Sequence, residues 1–155
     1  MQIINFLQKN WVIVTAIAAV IAILIILKTI YKRGLTQGKK DAPQVDIPVG
    51  LGEVDETKIK PMTAAIEEDV KGVDFRFNNE EYAKFAHFTD AELLELYNYW
   101  NLEKYPELGF TIYKALKKLL IRTGLFGSIL SPEIRKTKDT VKLTIQRYEG
   151  FGIKE

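Results

Sequence analysis

Hydrophobic and polar positions change their rhythm once along this chain. From Trp11 to Leu27, WVIVTAIAAVIAILIIL, seventeen residues pass without a charge, and only Thr15 carries a hydrogen-bonding group that can turn back on its own helix. At 1.5 Å per residue that run makes roughly 25 Å of helix. Ile30 and Tyr31 carry the apolar surface past Lys28, whose stem can snorkel toward headgroups. The effective span then approaches the roughly 30 Å of a hydrocarbon core. Trp11 and Tyr31 stand at opposite ends, where amphipathic rings settle at membrane interfaces. A soluble core helix keeps a polar face, and this run has none. A cleaved signal would place small residues after the run; here Ala16, Ala18, Ala19 and Ala22 lie inside it, and basic residues follow. The pattern predicts a retained transmembrane helix over residues 11–31 behind a stub of residues 1–10. Its anchor residues are Trp11, Leu27, Lys28, Tyr31, Lys32 and Arg33.

Beyond the run, residues 32–57 alternate glycine, proline and isolated apolar side chains with no helical or strand period. They read as a basic flank and an extended tether. Val45, Ile47, Val49 and Val54 are more than a pure linker needs, which suggests a strand-like segment lying along a protein surface. Residues 58–155 then show helical periodicity. Pro61 opens a short helix ended by Gly72. Asn78 and Asn79 can cap a segment that places Tyr82, Phe85 and Phe88 on one side. Thr89 to Glu92 is a capping box ahead of a helix whose face is Leu93, Leu96, Tyr97 and Trp100, stopped at Pro106. In FTIYKALKKLLIRTG, Ile112, Leu116, Leu119 and Leu120 point inward, and Lys114, Lys118 and Arg122 line up outside. The last segment, from Ser131 to Gly150, fits a helix through Ile134, Val141, Ile145 and Tyr148. It also fits a strand through Val141, Leu143 and Ile145. The expected fold is mainly α: one N-terminal transmembrane helix, a tether and a small helical C-terminal domain, with the last segment helix or β.

Charge changes the picture because it is segregated. Residues 1–40 carry six basic and no acidic groups, residues 41–109 a net of −10, and residues 110–155 a net of +6. The excess of lysine and arginine just after the apolar run predicts a cytoplasmic C-terminal part and an outside N-terminus. The same flank can lie against anionic headgroups at roughly 1 kcal/mol per residue. A basic–acidic–basic chain can fold its acidic middle on its basic end or pair head to tail with a copy of itself.

Chemistry-bearing residues are few. The chain has no cysteine, which excludes disulfides, thiolate nucleophiles and thiolate metal sites. Its single histidine, His87, lies near Asp90 but between Phe85 and Phe88, and reads as a partly buried packing residue. No catalytic residue, metal site or cofactor is expected, and the chain is not read as an enzyme. Two surfaces are candidates for partners. One is a basic patch of Lys114, Lys117, Lys118, Arg122, Arg135, Lys138 and Lys142, able to meet phosphates. The other is the apolar connection GLFGSIL, where Leu125, Phe126, Ile129 and Leu130, helped by Trp100, suit a protein contact. The expected partners are the lipid bilayer and a protein partner, or a homo-oligomer, in a larger assembly. The expected role is that of a single-pass structural or adaptor protein. One version is a membrane-embedded minor virion protein joining bilayer and capsid in a lipid-containing phage. The alternative is a membrane-tethered nucleic-acid binder using the basic C-terminal region.

Overall fold

A computed structural model describes residues 11–72, 79–124 and 132–154. Among these residues there are seven α-helices, one 3-10 helix and no strand. Helix α1 spans Trp11–Asp41, α2 Glu56–Lys71, α3 Asn79–Ala83, α4 Asp90–Glu103, α5 Tyr105–Leu108, α6 Ile112–Gly124 and α7 Pro132–Gly150; the 3-10 turn is Lys84–His87. The last segment is therefore helix, not strand. Of its helical set, Val141, Ile145 and Tyr148 are buried and Ile134 is half-buried, whereas Leu143 of the alternating reading is 61% exposed.

Burial of one apolar face per helix holds the domain together. Ile59, Met62 and Ile66 of α2, Leu93, Leu96 and Trp100 of α4, Ile112 and Leu116 of α6, and Val141 and Tyr148 of α7 form a continuous core. Tyr82, Phe85 and Phe88 close one side of it, with ring centroids 5.9 and 5.5 Å apart. Each buried aromatic or aliphatic side chain contributes roughly 1.5–3 kcal/mol. Two of the largest buried side chains have their polar tips satisfied: the Tyr148 hydroxyl donates to Leu93 O at 2.9 Å and the Trp100 indole N–H to Phe110 O at 3.1 Å.

Helix ends explain the boundaries. The expected capping box is present, with Glu92 N donating to Thr89 Oγ1 at 3.1 Å and Thr89 N to the Glu92 carboxylate at 2.7 Å. Helix α2 starts earlier than Pro61 implies, because Asp55 caps it by accepting from Thr57 N at 3.0 Å. Pro61 then lies inside the helix on its exposed side. Pro106 does not force Tyr105 out of helical conformation; it sits in the first turn of α5, which Gly109 ends in the left-handed region at φ 72°.

The largest departure from expectation is at residues 32–57. They do not form one extended segment, since both ends are helical. Helix α1 continues unbroken to Asp41, and residues 43–45 just after it are hydrogen-bonded to α4. Asn98 of α4 holds Val45 from both sides, accepting from Val45 N at 2.9 Å and donating to Val45 O at 2.8 Å. Asn101 donates to Pro43 O at 2.8 Å. Of the residues that suggested a surface-lying segment, Val45 and Ile47 pack against the core, joined by Leu51, whereas Val49 is fully exposed. Helix α1 survives Gly34 and Gly38, at about 1 kcal/mol each relative to alanine, because its end gains a tertiary contact.

Candidate membrane anchor and interaction surfaces

Thr15–Asp41 of α1 is long and apolar enough to cross a membrane, and among the described residues nothing buries its apolar window. Trp11, Leu27, Lys28, Tyr31, Lys32 and Arg33 are all exposed along it. Thr15 and Thr29 donate their hydroxyls back to Trp11 O and Ile25 O, at 2.9 and 2.8 Å, so neither offers an unsatisfied polar group to lipid.

The C-terminal end of α1 is seated on the domain. Leu35 and Gly38 are half-buried and Ala42 is buried, all on one side of the helix. Helix α5 packs there, and a Cβ built on Gly38 would lie 2.9 Å from Pro106 Cβ and 3.0 Å from Pro106 Cα. Glycine is needed for this approach. Lys39 pairs with Glu103 of α4 at 2.9 Å beside the contact. Both side chains are about half exposed, so the pair contributes at most about 1 kcal/mol.

The basic residues predicted as one patch have different occupations. Arg122 is a structural clamp: it donates to Asp69 O at 3.0 Å and Gly72 O at 2.7 Å, satisfying carbonyls at the end of α2. Lys118 lies over the Phe110 ring at 3.7 Å, and Lys117 over Tyr113 at 5.0 Å. Tyr113 in turn donates to the Glu149 carboxylate at 2.8 Å, which places an acid beside Lys117. Lys114, Arg135 and Lys142 are exposed and Lys138 is half-buried. Of the apolar contact set, Trp100 is wholly buried in the core and is not an exposed partner residue; its face of α4 is the one the domain needs. Leu125, Phe126, Ile129 and Leu130 lie outside the described residues. His87 is exposed instead of packed, because the 3-10 turn rotates it away from Phe85 and Phe88 onto a groove beside α7.

Charge inside the domain is arranged to hold it together. Glu92 is buried. Burial pushes its carboxyl up, but hydrogen bonds from Lys58 and the Thr89 and Asp55 backbone, with the Lys58 charge, outweigh this and hold it below the ordinary range. Lys58 meets it at 2.6 Å, so one carboxylate ties the start of α2 to the start of α4. Glu67 has the same balance: desolvation raises it, while Lys104 and Lys71 lower it further. The Tyr82 hydroxyl is pushed up by burial and by the facing Asp69 carboxylate. These are structural pairs, and no cluster of three or more metal-ligating side chains occurs among the described residues.

The basic flank expected after Tyr31 is helical, and this gives it a defined face. Lys32, Arg33, Thr36, Gln37 and Lys40 line a shallow groove on the side opposite the domain. The signal was available in their i, i+4 spacing, once helical phase is carried past Gly34.

Fold and surface together define a mainly helical protein with one N-terminal helix long and apolar enough to span a membrane. Comparison with known proteins finds no family model, no curated protein and no solved structure that matches the chain.

Proposed function

We propose that the chain is a single-pass membrane protein that holds a small helical domain close against the bilayer and docks it onto a larger protein assembly. The observation that supports this most is the unbroken α1, apolar and unburied over its first part and packed against Pro106 at its end. A spanning helix that enters its domain without a hinge transmits position, which is what a structural or adaptor component supplies. If residues 11–31 occupy the bilayer, residues 32–41 add roughly 15 Å of helix, a much shorter reach than a free tether. The basic residues after the span favour a cytoplasmic domain. In a lipid-containing virion the same design would bridge bilayer and shell.

The test is the native mass of the full-length chain, gently extracted from its source membrane, with co-purifying proteins identified. A large stoichiometric assembly is expected. A monomer or dimer without a companion overturns the adaptor reading.

A further inference from the structure

We propose that the face of α1 turned away from the domain binds the phosphate of an anionic phospholipid. The inference rests on α1 being inserted in a bilayer, and goes beyond it by assigning a ligand to particular side chains. Lys32, Thr36 and Lys40 form one i, i+4 row, and Arg33 and Gln37 the row beside it. Thr36 is the small residue at their centre, and its hydroxyl donates to Lys32 O at 3.0 Å. It therefore forms a low floor ringed by three cations and an amide. Lys32, Arg33 and Lys40 make no ion pair with any carboxylate among the described residues, although Asp41 stands at the rim as one opposing charge. Lys39, one residue away, does pair, because it points toward Glu103 on the domain side. Docking of the domain thus sorts the flank into a paired side and an unpaired side.

Position along the helix selects lipid over a protein acid. With the hydrocarbon core filled up to Ile30, Lys32 and Arg33 stand roughly 3–5 Å past its edge and Lys40 roughly 15 Å. Helical side chains lean toward the N-terminus, here toward the membrane, so Lys40 reaches back to the headgroup layer. A phosphate at that depth is within reach of Arg33 and of Lys32 snorkelling outward, with Lys40 on its aqueous side.

The experiment reconstitutes the full-length chain in phosphatidylcholine vesicles containing a minor fraction of phosphatidylglycerol. Insertion is read by resistance to alkaline extraction. The lipid that stays bound after mild detergent release is then identified by mass spectrometry. Retained phosphatidylglycerol is expected at roughly fivefold or more over its bulk fraction, on the scale set by a single interfacial cation. The triple change Lys32→Gln, Arg33→Gln, Lys40→Gln should return it to the bulk ratio. So should Thr36→Phe, which fills the floor without altering charge. The control Lys114→Gln, Lys117→Gln, Lys142→Gln should leave enrichment intact. Wild-type protein that inserts but retains lipid at the bulk ratio overturns the site and leaves the membrane reading standing. Wild-type protein washed out by alkali overturns both. Loss of enrichment on adding inorganic phosphate at low concentration overturns the lipid assignment in favour of a free anion.

Discussion

Gly38 carries the contact that seats the end of α1 on the domain, and its neighbour Gly34 supplies the control. A methyl group at Gly38 would lie 2.9 Å from Pro106 Cβ and 3.0 Å from its Cα, whereas nothing lies within 4 Å of one at Gly34. Both changes to alanine favour the helix by about 0.8–1 kcal/mol. That gain is common to docked and undocked states wherever α1 stays helical, so it cancels from the docking equilibrium. What remains for Gly38→Ala is the overpacking cost, about 1–3 kcal/mol, because the obstructing atoms include backbone that cannot rotate away. The docked-to-undocked ratio should fall roughly 5- to 150-fold at about 1.4 kcal/mol per tenfold. The chain has no cysteine, so spin labels can be placed uniquely at exposed Gln37 and Gln146. Pulsed electron resonance on detergent-solubilised protein should give one narrow distance for wild type and Gly34→Ala, and a broad distribution for Gly38→Ala. A narrow, unshifted distance in Gly38→Ala would refute the reasoning.

Three further outcomes follow from the domain's polar contacts. Glu92→Gln keeps the shape but loses the charge that pairs with Lys58, and should cost about 1–2 kcal/mol at neutral pH by thermal melting. Because the folded carboxyl sits below its unfolded value, its contribution is full above about pH 4.3 and fades as pH falls through the folded value. Wild type and Glu92→Gln should therefore converge in melting temperature in acid; a constant gap would contradict the pairing. Arg122→Gln removes both donors to the Asp69 and Gly72 carbonyls and should destabilise by about 1–3 kcal/mol in chemical denaturation. An unchanged midpoint would return Arg122 to the solvated surface. Asn98→Ala frees the backbone of Val45, and limited proteolysis should then cut within residues 42–55 at least several-fold faster than in wild type. Equal rates would show that apolar contacts alone hold that strap.

Much of the domain was legible because its signals are local. The Thr89–Glu92 capping box and the stripe Leu93, Leu96, Tyr97 and Trp100 depend on residues within one or two turns, and both appear as expected. Where expectation failed, the deciding partner was distant in sequence. Arg122 has the spacing of a solvent-facing cation, and only the arrival of the α2 C-terminus makes it a clamp. His87 lies between two aromatics in sequence, and the 3-10 turn exposes it. The last segment satisfied helix and strand periods alike. The core chose helix, because four positions on one helical face could be buried together.

Sequence alone determined that residues 11–31 include a helical run long and apolar enough to cross a membrane, since its uncharged stretch has no polar face to offer water. It also determined a mainly helical remainder, through periods and caps that act within a few residues. Tertiary structure decided where α1 ends, that residues 43–45 are bound to α4, and which flank cations stay unpaired. All three depend on Pro106, Asn98 and Glu103, which lie more than fifty residues downstream of the groups they hold. No local pattern encodes such a meeting, because the free energy that settles it comes from burial and hydrogen bonds formed only when the chain has closed on itself.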